Sequence, residues 1–424
     1  MDYKLQTLFS GLRVLTVPMP NLESVTVAVW VKTGSRNEEE RVGGISHFLE
    51  HMVFKGSAKR PSAKEISGAV DAIGGEFNAG TSKDWTNFYI KTSSYNLETA
   101  FDVLSDMVLN PLLKEEEIER EKGTIIQEIA MYEDTPTAKI GEVFENLIFS
   151  GNSLSKDTAG TAKSVKRITK SDFERYRKIH YYPENMLISI AGRVTEGKAL
   201  ELVKKYFGFA HSGSGIFKHQ SFESKQKLPQ VKLKTKKEEQ AHFILGFLAD
   251  GRRYEGRFAQ GLLSAILGGG MSSRLWIEVR ERRGLAYSVK TSMERYLETG
   301  YLGTYAGVDP KKVDEAIKVI LDELHKITDH RSPITIHELK DFKEFLKGHL
   351  ALALEETKDV SAFFSDQALF MDKILTPEEI FKKVDKVSLD EVNFEAKRLF
   401  VPSRLNLAVI GDYNDKGKFE KLLK

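Results

Sequence analysis

The sequence predicts an α+β protein of two homologous domains, each a mainly antiparallel sheet with helices packed on one face. Three observations carry that expectation. Residues 168–192, ITKSDFERYRKIHYYPENMLISIAG, recur without a gap as residues 387–411, VSLDEVNFEAKRLFVPSRLNLAVIG, with Pro183 on Pro402 and Gly192 on Gly411. Strands come as hairpins that feed helices, which favours antiparallel sheets over a doubly wound parallel one. The chain has 424 residues, longer than one hydrophobic core usually grows.

Each copy of the repeat reads as a hydroxyl N-cap (Thr169, Ser388), a helix, a turn proline and a short apolar strand closed by glycine. The likeness extends backwards. Val25–Val31 (VTVAVWV) corresponds to His242–Phe247 (HFILGF), and the hairpin opening FNAGTSKDW corresponds to the one opening AYSVKTSMERY. Between the halves, residues 207–229 are rich in Gly, Ser and Lys and carry no sustained periodicity, as a linker does. The expected domains are 1–215 and 216–424.

Composition narrows the chemistry. Lys and Arg total 63 against 61 Asp and Glu, so no charge excess favours nucleic acid or an anionic membrane as partner. Basic runs such as KLKTKKEE (232–239) lack the interleaved aromatics of a nucleic-acid surface. There is no cysteine, which removes disulfides, thiolate zinc sites and cysteine nucleophiles together, and leaves His and carboxylates for any metal. The opening MDYKLQTLFSGLRVLTVP has charges spread through it and no apolar core of signal or membrane-span length, so a soluble cytoplasmic protein is expected.

The segment GISHFLEHMVFK (44–55) concentrates ionisable groups in an apolar stretch. At 100° per residue, Ile45, Leu49 and Met52 share one helix face while His47, Glu50 and His51 share the opposite one. Residues four apart lie one turn above each other, so the imidazoles of His47 and His51 can converge on one ion. Two ligands do not complete a catalytic zinc site, whose usual form has three protein ligands and an open position. The segment EEEIEREKGTIIQEIAMYED (115–134) has helical spacing and sets Glu121 and Glu128 beside its apolar arc. Carboxylates so placed need partners, and a metal with its histidines is one source of them.

HFLEH (47–51) together with Glu128 in EREKGTIIQEIAMYED resembles the inverted HxxEH zinc peptidases of the pitrilysin and insulinase family, in the short-chain branch similar to mitochondrial processing peptidases. The resemblance covers essentially the whole chain. It implies His47, His51 and Glu128 as ligands of one zinc per chain, Glu50 as general base, and Glu121 as the carboxylate supporting a ligand. It also implies that the strand in GGEFNAGTSKDW (74–85) is an exposed edge that pairs with extended substrate, contacting it at Asn78 and Ala79.

The counterpart of the metal helix in the second half, GLLSAILGGG (261–270), has neither His nor Glu, so one metal site per chain is expected. Its triple glycine is not a phosphate loop, because the following Gly-Lys-Ser/Thr is missing. In RERRGLAYSV, Arg280 and Tyr287 resemble the family's substrate-holding pair, which hydrogen-bonds near the scissile carbonyl. The resemblance further implies a homodimer in which that pair completes the site of the other subunit. His180, His242 and His349 stand singly, and structural hydrogen-bonding roles are expected for them. The function implied is zinc-dependent hydrolysis of unstructured or presequence-like peptides in an enclosed chamber. The alternative is a catalytically silent peptide-binding relative of the same fold.

Overall fold

The computed structural model describes residues 1–208 and 221–424, so the expected boundary at 215/216 lies outside the described residues. The first sheet is formed by β1 (Lys4–Thr7), β2 (Arg13–Pro18), β3 (Ser24–Val31), β4 (Glu76–Thr81), β5 (Thr86–Ser93) and β6 (Met186–Gly192), in the order β1-β2-β6-β3-β5-β4. The second is formed by β7 (Gln230–Thr235), β8 (Ala241–Asp250), β9 (Ala286–Arg295), β10 (Thr299–Val308) and β11 (Leu405–Gly411), in the order β7-β11-β8-β10-β9. Without β1 the two orders are the same, strand for strand, which is the repeat in three dimensions. Each sheet has one parallel pair, β2 with β6 and β7 with β11, and is otherwise antiparallel.

Local chemistry explains the repeated unit. Thr169 and Ser388 begin the helices Lys170–His180 and Leu389–Leu399 as capping boxes closed by Asp172 and Glu391. Pro183 and Pro402 each open a short 3₁₀ turn, where the absent N–H is not needed, and the chain passes straight into β6 or β11.

Two compact units make up the chain. One comprises Met1–Ala130, Lys156–Gln220 and Ala351–Pro377, the other Met131–Ser155, Ser221–Leu350 and Glu378–Lys424. Each therefore takes a helix from the other half of the sequence. In the first unit, Val25, Val27, Val29 and Val31 of β3 pack into a core with the helices Ile45–Val53 and Leu97–Leu109. The opposite face of that sheet receives the helix Thr357–Phe370, where Thr26 meets Thr357 at 2.8 Å and Ser361 meets Ser189 at 3.0 Å through side-chain hydroxyls.

In the second unit, Phe243, Leu245 and Phe247 of β8 pack with the helices Arg257–Gly268 and Val313–Thr328. The other face is covered by the helix Pro136–Ile148, whose Ile140, Val143 and Phe144 join Leu248, Ala408 and Ile410. Helices thus pack on one face as the sequence predicts, and a single further helix closes the second. That is why the central strands β6 and β11 are buried along their whole length.

Candidate active site

The helix Ile45–Val53 is amphipathic as its spacing requires. Ile45, Phe48, Leu49 and Met52 are buried in the core, while His47, Glu50 and His51 are half-buried on the other face. Its start is held from below. Glu38 accepts the otherwise unpaired N–H groups of Gly44 and Ser46 at 2.6 and 2.8 Å, and Gly44 enters the helix at φ 94°, a left-handed value that suits glycine. Burial pushes the Glu38 carboxyl up to about 7, against the opposing effect of those two hydrogen bonds. The Ser46 hydroxyl lies 2.7 Å from Tyr176 Oη, so the first turn is fastened to the helix Lys170–His180 as well.

The second element is the helix Glu115–Asp134, with the bounds the spacing predicts. It presents Glu128 to both imidazoles: Oε1 lies 3.6 Å from His47 Nε2 and Oε2 3.5 Å from His51 Nε2. The ligand atoms of His47, His51 and Glu128 all lie within 4.8 Å of one another, and no other such group occurs among the described residues. A tetrahedral set with bonds of about 2.0–2.2 Å holds its donors roughly 3.3–3.6 Å apart. The two carboxylate–imidazole separations and the donor chemistry, two imidazoles and a carboxylate, fit zinc.

Glu121 lies two turns before Glu128 and is buried, with one oxygen 2.8 Å from His51 Nδ1 and the other 2.6 Å from Lys55 Nζ. Burial alone would raise its pKa, but the hydrogen bonds from His51 and Lys55 outweigh that and hold it below the usual carboxylate value. A carboxylate only accepts, so in its neutral form His51 carries its proton on Nδ1 and leaves the lone pair of Nε2 on the side of Glu128. For His51 itself burial would lower the pKa, yet the bond to Glu121 and the charges of Glu121, Glu128 and Glu50 prevail, and the net shift is upward. His47 is lowered to about 4, by burial first and by His51 second, so its imidazole is neutral at pH 7. Its buried Nδ1 has no hydrogen-bond partner among the described residues. The two histidines are thus supported unequally.

Glu50 stands apart from the three converging groups. Its Oε2 accepts from Thr81 Oγ1 at 2.6 Å. Burial raises its pKa, with the Thr81 bond and His51 opposing and Glu128 adding to the rise. A carboxylate whose proton affinity is lifted and whose orientation is fixed is suited to taking and returning a proton.

Thr81 ends β4, and the approach of that strand to the metal helix is built by close backbone contact. Ser35 N–H donates to Ser82 O at 3.0 Å and Arg36 N–H to Lys83 O at 3.2 Å. A Cβ on Gly34 would lie 2.1 Å from Ser82 O, so only glycine allows the approach. The Arg36–Asp84 ion pair, 2.9 Å long and buried, locks the same corner. Phe54, just past the metal helix, meets Phe77 of β4 with ring centroids 5.3 Å apart.

β4 is an edge of its sheet, as the resemblance implies, with Asn78 exposed and Ala79 half-buried. The Ala79 N–H donates to Asn78 Oδ1 at 2.8 Å. In the second unit Arg280 and Tyr287 are brought together. The guanidinium lies 4.2 Å from the Trp276 ring and 4.9 Å from the Tyr287 ring, and its Nη1 donates to Tyr287 O at 2.7 Å. The Tyr287 side chain is 78 % exposed. His180 and His242 are hydrogen-bonded to Thr33 Oγ1 at 3.2 Å and Tyr305 Oη at 3.0 Å, the structural roles expected of them.

Three residues of this site escape sequence reasoning: Glu38, Lys55 and Thr81. Lys55 had a faint signal, lying four residues beyond His51 and so near it on a helical path. Glu38 and Thr81 had none, since each reaches its partner through a turn of the fold.

Residues 13–162 match the family model for insulinase, peptidase family M16, and residues 167–345 match that for the peptidase M16 inactive domain. An uncharacterized zinc protease of Streptomyces coelicolor is 35% identical over 419 residues, covering 97% of this chain and 90% of its own. The uncharacterized zinc protease YmxG of Bacillus subtilis is 36% identical over 398 residues, 94% of this chain and 95% of its own. Among solved structures, a protease from Helicobacter pylori has the same fold, with a TM-score of 0.90 at 24% identity over 96% of this chain and 99% of that one.

Proposed function

The chain belongs to the insulinase family, peptidase family M16, and on that premise we propose that it is a zinc endopeptidase acting on extended, unstructured peptides, presequence-like segments among them. The observation that carries the reading is the convergence of His47, His51 and Glu128 with Glu50 beside them but off the metal set. Zinc held by these groups supplies a Lewis acid that makes water acidic and polarises a peptide carbonyl. Glu50 takes the proton of the attacking water and returns it to the leaving nitrogen, while the Thr81 hydroxyl fixes the carboxylate that does so.

In this reading the free edge of β4 receives the substrate as an added strand, with Asn78 and Ala79 as contacts. The Asn78 side chain now on the Ala79 N–H gives way to a substrate carbonyl. Arg280 and Tyr287 hold the substrate backbone and offer donors to the developing oxyanion, each well-placed donor being worth about 3 kcal/mol in rate. We further propose a cytoplasmic homodimer with one zinc per chain, in which Arg280 and Tyr287 of a second copy complete an enclosed site, and with neither nucleic acid nor membrane as partner. Among the described residues no helix is long and apolar enough to cross a membrane.

Zinc content and cleavage of a quenched unstructured peptide test the chemistry in the native chain and in Glu50→Gln. Zinc is retained and turnover falls by about 10²–10⁴-fold; equal turnover in both rejects the reading. Mixing Arg280→Ala chains with Glu50→Gln chains under exchanging conditions tests the completion in trans, which is rejected if no activity returns.

A further inference from the structure

The two histidines of the metal helix are held in different ways. His51 is fixed through its side chain, with Nδ1 2.8 Å from Glu121, whereas the buried Nδ1 of His47 has no hydrogen-bond partner among the described residues. A ligating histidine is ordinarily oriented by a partner on its second nitrogen. What restrains the His47 ring is its edge contact with the His51 ring, centroids 4.6 Å apart, and the backbone that carries it. Its aim at Glu128 therefore depends on how the first turn of the helix is seated.

That turn is seated at Ser46, the residue before His47. The Ser46 N–H donates to Glu38 at 2.8 Å, and the Ser46 hydroxyl lies 2.7 Å from Tyr176 Oη. Ser46 and Tyr176 are both buried, so the hydroxyl pair is shielded from bulk solvent and stronger for it. Tyr176 Oη is also braced by Thr33 Oγ1 at 3.2 Å, which in turn meets His180 Nδ1 at 3.2 Å, and the Tyr176 and His180 rings lie 4.4 Å apart. The phenol is thus a fixed post. Neighbouring Cα atoms are held about 3.8 Å apart by a planar peptide, so a shift of Ser46 is passed on to His47.

The repeat separates the general part of this tie from the special part. Tyr176 corresponds to Glu395, which accepts from Gln260 Nε2 of the helix Arg257–Gly268 at 2.9 Å. Both units therefore tie the corresponding pair of helices together at this position, and only in the first does the tie fall next to a metal-binding histidine. We propose that Tyr176 is a positioning residue for His47, acting through the Ser46 hydroxyl. The inference rests on the zinc-peptidase reading for the ligand role of His47, and is independent of what the substrate is.

The test uses the full-length chain and the metal alone. Zinc affinity is measured by chelator competition in the native chain, Tyr176→Phe, Ser46→Ala and the double variant, alongside urea unfolding in chelator and the visible spectrum of each cobalt(II) form. Tyr176→Phe and Ser46→Ala each weaken zinc binding about tenfold, the scale of losing a group that orients a ligand. The double variant loses no more than either single one, because both remove the same hydrogen bond. The cobalt bands move in all three. Thr33→Val removes the other neighbour of the phenol, and it lowers the urea midpoint while leaving zinc affinity and the cobalt bands as in the native chain. Native zinc affinity and cobalt bands in both Tyr176→Phe and Ser46→Ala, or a loss of zinc in Thr33→Val as large as in Tyr176→Phe, overturn the proposal. Native-like zinc binding in those two variants, with peptide cleavage by the native chain, removes the positioning role and leaves the peptidase reading standing. Weaker zinc in both variants, with no cleavage of any peptide by the native chain, does the reverse.

Discussion

Lys55 and Glu121 form a 2.6 Å ion pair on the side of Glu121 away from His51, so one carboxylate is shared between a metal-helix histidine and a lysine that follows the same helix. Removing the lysine frees the carboxylate to rotate away from His51 Nδ1. Lys55→Met is expected to weaken zinc affinity by about 10- to 100-fold, the usual cost of losing an outer-shell partner, while Lys55→Arg keeps most of it. Competition against a chromogenic chelator measures this directly. Equal affinity in Lys55→Met and the native chain would refute it.

Thr81 contributes a single hydrogen bond to Glu50, at 2.6 Å, from the last residue of the edge strand. Thr81→Val keeps the shape and removes the donor. With the carboxylate less well held, kcat for a quenched peptide is expected to fall by about tenfold, in the range of a hydrogen bond to a charged group. Zinc content should not change. A fall confined to KM would show that Thr81 serves strand pairing instead of the base.

Glu38 makes stability depend on pH. Its folded-state pKa, about 7, lies above the ordinary carboxylate value of 4.5, so the folded chain holds the proton more tightly than the unfolded one. The stability this contributes is fully present below about pH 4.5 and is lost as the pH rises toward 7. Relative to Glu38→Gln, which does not ionise and keeps one carbonyl acceptor for the two N–H groups, the native chain should lose on the order of 3 kcal/mol across that window. Urea unfolding of both chains at several pH values in the presence of a chelator reads the difference. Parallel pH profiles would refute the role given to Glu38.

Much of the site was legible because helical spacing is a local property. The arrangement of His47, Glu50 and His51 opposite Ile45, Leu49 and Met52 follows from the backbone's rotation alone. So do the bounds of Glu115–Asp134 and the flanking position of Glu121 and Glu128. The capping boxes at Thr169 and Ser388 and the prolines after them are equally local, which is why the repeat was visible at all. The helices that close the second faces of the sheets were not legible, because Pro136–Ile148 and Thr357–Phe370 each pack on strands distant in sequence.

Sequence by itself therefore determined the repeated α+β architecture, the helix carrying both histidines and the glutamate between them, the helix carrying the two further carboxylates, and the family resemblance that ranked those two. Only the tertiary structure decided that Glu128 faces both imidazoles while Glu121 takes the far nitrogen of one. It also decided that Lys55 fixes Glu121, that Thr81 reaches Glu50, and that Tyr287 stands on a bulge with Arg280 on its carbonyl. The reason is physical. Spacing along one helix or strand sets which side chains share a face, but which faces meet is set by burial of cores and close backbone contacts, such as Gly34 against Ser82, between residues far apart in the chain.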